Sequence, residues 1–179
     1  TQLMELGIPV VIALNMMDVV RKRGDRIDVG KLSAALGCPV VETSAVKGEG
    51  CIAAAEKAAD MVRQGASTPP RHTFGDDVEG ALSEIEALIE GAVPAENSRW
   101  YAVKLFERDE KVAERFTMDG ALKARLKEII KACEEAEDDD AESIITNERY
   151  TYIAELVGHC VKKKRAGLSI SDKVDRVVT

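Results

Sequence analysis

Two short polar segments have the residue types and the spacing to bind a ligand at the edge of a sheet. The first, Asn15-Met-Met-Asp18, directly follows an apolar run rich in β-branched residues, Ile8 to Leu14. In open α/β sheets ligands bind beyond the carboxyl ends of strands, where Asn15 and Asp18 are predicted to lie. A carboxylate accepts two hydrogen bonds and matches the N1–H and N2–H₂ donors of guanine, whereas adenine offers no such pair. Turns also favour Asn and Asp, so this segment alone equally fits an ordinary turn.

The second segment, Thr43-Ser44-Ala45, follows the next predicted strand. A backbone N–H beside a small side chain there can reach the O6 atom of guanine, and the Asn15 amide can serve N7 and brace the loop. Two such segments at successive strand ends favour a guanine site over an accidental turn.

The elements that must position these segments form two predicted parts. Residues 1–64 alternate short helices with two strands, Ile8 to Leu14 and Cys38 to Thr43, which is half of an α/β domain. Residues 65–77, rich in Gly, Ser, Thr and Pro, predict a linker. Apolar residues at helical spacing predict a bundle of four or five helices over 78–167, followed by a short amphipathic segment over 168–179. The predicted fold class is a partial α/β parallel sheet followed by an all-α helical bundle.

Local signals add detail to these elements. The first strand is apolar throughout, which is typical of a strand covered on both faces. Asp28 and Gly37 predict the two ends of a helix over 29–36. A helix over Cys51 to Arg63 is expected to pack on the sheet through one face, and two later helices are expected to have polar N-caps. The residues of that face are Ile52, Ala55, Ala59 and Val62, and the two caps are Asn97 and Asp109.

The two polar segments resemble the base-recognising half of a small GTPase, an N-K-x-D motif followed by an S-A motif. That resemblance implies that Asp18 selects guanine and that the Ala45 N–H binds O6. Met16 stands where most GTPases have lysine, and a methionine supplies the same apolar contact with the base.

A more specific resemblance covers nearly the whole chain. Asn-Met-Met-Asp, the run Leu36-Gly-Cys-Pro-Val-Val41 and Arg99-Trp-Tyr-Ala-Val-Lys-Leu105 are similar to segments of the ferrous iron transport protein B family, bacterial transporters with a GTPase domain. The resemblance implies a partial P-loop GTPase-like sheet over 1–64 and a regulatory helical domain over 78–167. It also implies that the segment 168–179 leads to a membrane domain. The guanine-binding residues implied are Asn15, Met16, Asp18, Ser44 and Ala45.

The same resemblance implies ligands, partners and location. The nucleotide is GTP or GDP, with Mg²⁺ held by another part of the parent protein. The partners are the remaining GTPase half and the membrane domain of that protein, on the cytoplasmic face of the bacterial inner membrane, where nucleotide state is coupled to Fe²⁺ uptake. The expected route of coupling runs from the loop Thr43 to Gly50 into the following helix.

The chain lacks the G-x-x-x-x-G-K-[ST] phosphate loop and a D-x-x-G switch, and it has no candidate catalytic residue. The opening residues, Leu3 and Leu6 followed by Gly7, are typical of a helix end, so the chain is predicted to begin inside a longer domain. We therefore expect no GTP hydrolysis by this chain alone. The alternative is a helical protein-interaction module that binds no nucleotide. Two strands also leave bare sheet edges, which favour a homo-oligomer.

Composition limits the remaining classes. The 179 residues carry 25 Lys+Arg and 32 Asp+Glu, a net charge of −7, which argues against a general binder of nucleic acid or anionic membranes. Without a long apolar run, the fragment is expected to be soluble. The four cysteines are too widely spaced for a metal pair, which indicates reduced cytoplasmic thiols.

Four other features have an ordinary explanation as well as a functional one. The acidic run 134–140 is typical of a solvated connection, although it could bind a cation. Glu155 and His159 lie one helical turn apart, but two ligands do not make a metal site. The run Lys162 to Arg165 could complement a helix dipole or flank a membrane segment. No partner is evident for His72 in the linker.

Overall fold

The computed structural model describes residues 1–68, 71–116 and 118–164. The strands are β1 (Ile12–Leu14), β2 (Arg26–Ile27), β3 (Val40–Glu42) and β4 (Val161–Lys162). The helices of the first part are α1 (Gln2–Glu5), α2 (Met17–Arg23), α3 (Val29–Leu36) and α4 (Cys51–Arg63). Those of the second part are α5 (Asp76–Leu88), α6 (Ser98–Phe106), α7 (Glu110–Ala113), α8 (Gly120–Glu137) and α9 (Ala141–Cys160). The predicted fold class is confirmed, whereas the predicted segment 168–179 lies outside the described residues.

Helix ends follow local chemistry. The Asp28 carboxylate accepts the Lys31 N–H at 2.9 Å and starts α3, and Gly37 ends it in a left-handed conformation with φ 71°. Both predicted ends of this helix are therefore confirmed.

The two predicted polar caps are only partly correct. Asp109 does cap a helix, but it is the short α7, and Asp119 caps α8. Asn97 stands at the N-cap of α6, yet its side chain makes no capping bond. Its amide instead donates to the Leu6 carbonyl oxygen at 3.3 Å, which joins the bundle to the end of α1.

Strands β1 and β3 form a parallel pair in which Ile12 faces Val40 and Leu14 faces Glu42. Strand β1 is shorter than the predicted Ile8 to Leu14, because ladder pairing with β3 starts only at Ile12. The expectation of a strand covered on both faces is wrong for the described residues. Ala13 is exposed and so is Ile8, since the sheet here is only two strands wide.

A second pairing was not predicted. Strands β2 and β4 run antiparallel, with Arg26 facing Lys162 and Ile27 facing Val161. The backbone N–H of Asp28 also donates to the Cys160 carbonyl oxygen at 2.8 Å. The basic run therefore begins in a strand after α9 has ended and is not the last turn of a helix.

The face of α4 that carries Ile52 and Val62, here called its outer face, is exposed to solvent. The helix has the predicted bounds, but among its residues only Met61 is buried. The face predicted to pack on the sheet is exposed, with Ile52 at 73% and Val62 at 69%. Helix α4 does contact β1, but its buried residue is Met61, so the predicted packing face is wrong.

The bundle contains the larger hydrophobic core. Helix α5 packs against α6 and α8, and α9 closes the group. The side chains at its centre are fully buried and include Val78, Leu82, Ile85, Phe106 and Ile145. A smaller core around Met4, Leu36 and Cys38 fills the α/β part, and Tyr152 and Leu156 of α9 pack against it. Helix α9 thus belongs to both cores.

Arg149 of α9 links α1 to the residue that follows α6. Its Nε and Nη2 donate to the two carboxylate oxygens of Glu5 in α1, at 3.0 and 2.7 Å, and its Nη1 donates to Glu107 at 2.6 Å. The side chains of Arg149 and Glu5 are 6% and 5% exposed. Burial disfavours the guanidinium charge, but the two carboxylates more than offset this and raise the pKa of Arg149.

His72 also lies at this junction. Its ring centroid is 4.5 Å from those of Phe74 and Tyr152, so its partners are aromatic rings. Its Nδ1 is buried without a hydrogen-bond partner among the described residues, and burial lowers the pKa of His72 despite the nearby Glu5 and Glu148 carboxylates. The residues around it hold the two parts together.

Replacing Arg149 by Met should cost about 3–5 kcal/mol, because two buried carboxylates then lose their counter-charge. The matched control is Arg125→Met, which also removes an arginine with two carboxylate partners, Glu84 and Glu128, but at an exposed site. We expect the control to cost less than about 1 kcal/mol. Urea unfolding measures both, and equal losses would contradict a buried bridge.

Gly50→Ala should be far more damaging than Gly48→Ala. Both glycines have φ above 70°. An alanine in this left-handed conformation lowers the free energy of unfolding by about 1 kcal/mol in each variant. Only at Gly50 would the new Cβ lie 2.1 Å from the Glu42 carbonyl oxygen, while Gly48 has open space. We expect a further loss of about 2 kcal/mol at Gly50, measured by thermal unfolding. Similar melting temperatures would show that the loop simply shifts.

Candidate functional site

The parallel pairing brings the two predicted segments to one edge of the sheet. Because Leu14 faces Glu42, the chain leaves both strands side by side. Asn15 Oδ1 then accepts the Ala45 N–H at 3.1 Å, which ties the segments together. The Met17 N–H donates to the Thr43 carbonyl oxygen at 3.2 Å and closes the same gap.

Met16 has an unusual backbone. It precedes α2 in the left-handed region, with φ 64° and ψ 27°, although it is not glycine. Such a conformation costs roughly 1 kcal/mol or more and persists only where the surroundings impose it. The side chain is 59% exposed, so it stands at the rim of the site with an apolar surface available for contact.

Asp18 lies in the first turn of α2 with its carboxylate directed at the loop after β3. Its Oδ2 is 3.5 Å from Lys47 Nζ. Ser44 is 2% exposed, and its hydroxyl makes no hydrogen bond of normal geometry with the described residues. That hydroxyl is nonetheless close enough to favour the charged carboxylate. Together with the Lys47 ammonium it lowers the pKa of Asp18 below its ordinary value.

The loop from Ser44 to Gly50 is fixed by its own backbone. Ser44 and Glu49 exchange backbone hydrogen bonds at 3.0 and 3.2 Å around the single helical turn Ala45–Lys47. Arg21 Nη2 of α2 donates to Glu49 Oε2 at 3.3 Å. The loop is therefore held against α2 by the Lys47–Asp18 and Arg21–Glu49 ion pairs.

The five predicted residues thus lie together, but the Ala45 N–H is donated to Asn15. The sequence interpretation missed Lys47, Glu49 and Arg21. Lys47 and Glu49 lie within the predicted loop Thr43 to Gly50, and nothing in the sequence indicates that Arg21 contacts Glu49, 28 residues away.

The other candidate residues are accounted for by contacts within the fold. Glu134 forms a two-pronged ion pair with Arg108 and accepts the Ala141 N–H, while Asp140 caps α9. His159 Nδ1 lies 2.9 Å from the carbonyl oxygen of Glu155 and does not face its carboxylate. Over the described ranges, no group of three or more Cys, His, Asp or Glu is arranged to hold a metal ion.

Two further properties concern the whole described region. A cleft of about 610 Å³ lies between α6, α7 and α8, and none of the five candidate residues lines it. Within the parts that the structure describes, no helix has both the length and the apolar character needed to span a membrane.

Two family models match consecutive parts of the chain. The model of ferrous iron transport protein B matches residues 1–58, and the model of the FeoB cytosolic helical domain matches residues 74–162. The chain belongs to the FeoB family of ferrous iron transport proteins. The matches cover the two polar segments and the bundle, so the resemblance drawn from the motifs is confirmed.

Curated relatives agree with this assignment. A Porphyromonas gingivalis strain W83 protein, an Fe(2+) transport protein A/Fe(2+) transporter FeoB fusion, is 36% identical over 99% of this chain. The Fe(2+) transporter FeoB of Escherichia coli K12 is 32% identical over 60% of the chain. The chain spans 22% and 14% of the lengths of these relatives.

Solved structures of FeoB match the fold. A GDP-bound mutant of the S. thermophilus FeoB G-domain has a TM-score of 0.84 at 38% identity, covering 90% of this chain and 62% of that one. An mGMPPNP-bound NFeoB from S. thermophilus has a TM-score of 0.78 at 39% identity, covering 92% and 61%. The α/β part therefore has the fold of part of a GTPase domain.

The lowered pKa of Asp18 is testable by carboxyl NMR titration. We expect the Asp18 midpoint below the ordinary value of about 3.9, with the charge lost only as the pH falls through the lowered pKa. Ser44→Ala removes the largest cause and should raise the midpoint. Ser33→Ala is the control, because the Ser33 hydroxyl donates to the Cys38 carbonyl oxygen in the same part of the fold. A midpoint unmoved by Ser44→Ala would contradict the assigned cause.

Proposed function

We propose that this chain binds the base of a guanine nucleotide at the β1–β3 edge and belongs to the cytoplasmic regulatory region of a ferrous iron transporter. The observation that carries the proposal is the Asn15–Ala45 hydrogen bond, which joins two strand ends beside a charged Asp18 carboxylate. A carboxylate kept ionised at neutral pH is a permanent double acceptor, as the guanine N1–H and N2–H₂ edge requires.

Each of the five residues has a role in this proposal. Asp18 accepts from the base edge, and the exposed Met16 side chain packs on the ring. Ala45 donates its N–H to O6, which requires sharing or replacing the bond to Asn15. The buried Ser44 hydroxyl supports Asp18. Asn15 serves N7 and braces the loop.

The solved relatives support the nucleotide class. Structures of S. thermophilus FeoB proteins are bound to GDP and to mGMPPNP. For this chain we propose GTP or GDP, with phosphates and Mg²⁺ held by the rest of a GTPase domain. Base contacts of about 1–3 kcal/mol each leave the chain alone with affinity near millimolar or weaker.

Exposed apolar side chains support the proposal that the remaining half of the GTPase domain packs against this chain. The outer face of α4 is exposed, and Leu3 and Tyr150 are exposed beside the groove between α1, β1 and α9. We propose that the remaining GTPase half covers them, and that an isolated chain pairs with a second copy there. The boundaries 1–64, 65–77 and 78–167 stay predictions, as does a membrane domain after 168–179.

We further propose that nucleotide state is coupled to Fe²⁺ uptake through the junction with α9. Helix α4, the expected route, buries only Met61 and has its main contacts with β1 and not with the bundle. Stronger links run from α1 through Glu5 to Arg149 and from the core around Leu36 to Tyr152. Movement of α1 or α3 would therefore reach α9 more directly than movement of α4.

The test is nucleoside binding to the ¹⁵N-labelled chain, followed by NMR at millimolar concentrations. We expect guanosine, and not adenosine, to shift the amides of residues 15–18 and 44–46. Asp18→Asn should lose guanosine binding and gain preference for xanthosine, whose C2 carbonyl accepts from the new amide. Asp60→Asn, an exposed carboxylate paired with Arg63 on α4, is the control and should leave guanosine binding unchanged. Equal shifts with both purines, or none, would favour the helical interaction module without nucleotide binding.

A further inference from the structure

The pairing of β2 with β4 brings two basic segments together. Residues 21–28 and 161–164 are far apart in sequence but adjacent in the fold. They carry seven cations and two carboxylates, Asp25 and Asp28. The cations, which we call the basic patch, are Arg21, Lys22, Arg23, Arg26, Lys162, Lys163 and Lys164, and all are exposed.

The two carboxylates offset only part of the positive charge of the patch. Asp25 Oδ1 accepts the backbone N–H of Lys164 at 2.9 Å, and Asp28 caps α3 and pairs with Lys31. In the described part of the chain only Arg21 of the patch has a carboxylate partner, Glu49. The remaining positive charge is therefore exposed to whatever approaches this face.

Fold stability does not explain the whole patch. Cations in the last turn of α2 do favour the helix dipole, which accounts for Arg21 to Arg23. Arg26 and Lys162 face each other directly across the ladder, and like charges in such positions destabilise a sheet. Facing each other, Arg26 and Lys162 destabilise the β2–β4 pair, and neither side chain has a carboxylate partner in the described part of the chain.

We propose that the basic patch docks on an anionic phospholipid surface. The chain as a whole has a net charge of −7, so such a surface would repel most of the protein and attract this face alone. The interaction would orient the protein with β2, β4 and the end of α2 against the headgroups. Helix α2 also carries Asp18, so the docked face lies one short helix from the candidate base site.

The chemistry favours lipid over single-stranded nucleic acid. Single-stranded nucleic acids are bound by basic grooves that also present aromatic side chains for base stacking. Residues 21–28 and 161–164 include no aromatic residue. A cluster of lysines and arginines is typical of surfaces that bind anionic headgroups.

The test is sedimentation of the chain with vesicles of phosphatidylcholine alone or containing phosphatidylglycerol. We expect binding only to the anionic vesicles, and loss of binding as salt rises from about 0.1 M to about 1 M and the Debye length shortens. Arg26→Gln with Lys162→Gln should weaken binding about 25-fold, roughly fivefold per cation. Because it removes facing like charges, this double variant should melt no lower than the parent chain.

The control is Lys123→Gln with Lys127→Gln on α8, which changes the net charge equally outside the patch. We expect it to bind within about twofold of the parent chain. Equal losses in the two double variants, or equal binding to both kinds of vesicle, would overturn the proposal. Duplex DNA that displaces the chain from vesicles at equal phosphate concentration would also overturn it, in favour of a nucleic-acid surface.

Discussion

The relative position of the two parts depends on a buried charge. Arg149 holds Glu5 from the start of the chain and Glu107 from the bundle, with all three side chains shielded from water. Desolvating such a group is costly, so the arrangement is stable only when both carboxylates are correctly placed. The cluster therefore fixes geometry more than it adds stability. Helix α9 cannot shift along α1 without exposing an unpaired charge, which makes the junction a rigid support for the β1–β3 edge.

Few contacts hold the two loops of the candidate site in place at the β1–β3 edge. Three-residue strands, the Asn15–Ala45 hydrogen bond and two ion pairs, Lys47–Asp18 and Arg21–Glu49, set the positions of two loops. The left-handed backbone of Met16 adds strain at the same point. Neither two strands nor an exposed α4 would hold such a loop pair reliably in isolation. The core shared by α3, β1, β3 and the end of α9 supplies the missing packing, so the site depends on the bundle although no bundle residue contributes to it.

Local signals in the sequence predicted much of this structure, and non-local features were missed. The ends of α3, the bounds of α4 and the position of the polar segments after β1 and β3 follow from caps, periodicity and strand ends. Short-range chemistry determines such features. The β2–β4 pair, the Arg149 cluster and the contact between Arg21 and Glu49 join residues far apart in sequence, and no periodicity encodes them. The α4 face was predicted wrongly because amphipathicity identifies a surface that can be buried, but does not tell whether the covering layer is present.

The antiparallel pair of β2 and β4 has a consequence for how the chain is made. Because β4 and the Cys160 carbonyl contact residues 26–28, the α/β part is not complete when its own residues have left the ribosome. The β2–β4 contacts form late in folding, because closing the long loop between these two strands costs conformational entropy. The first part therefore waits for the whole bundle to be synthesised before it acquires its last strand. Until then the core around Met4, Leu36 and Cys38 lacks the cover of Tyr152 and Leu156, and the order of synthesis makes the bundle a partner in folding the site.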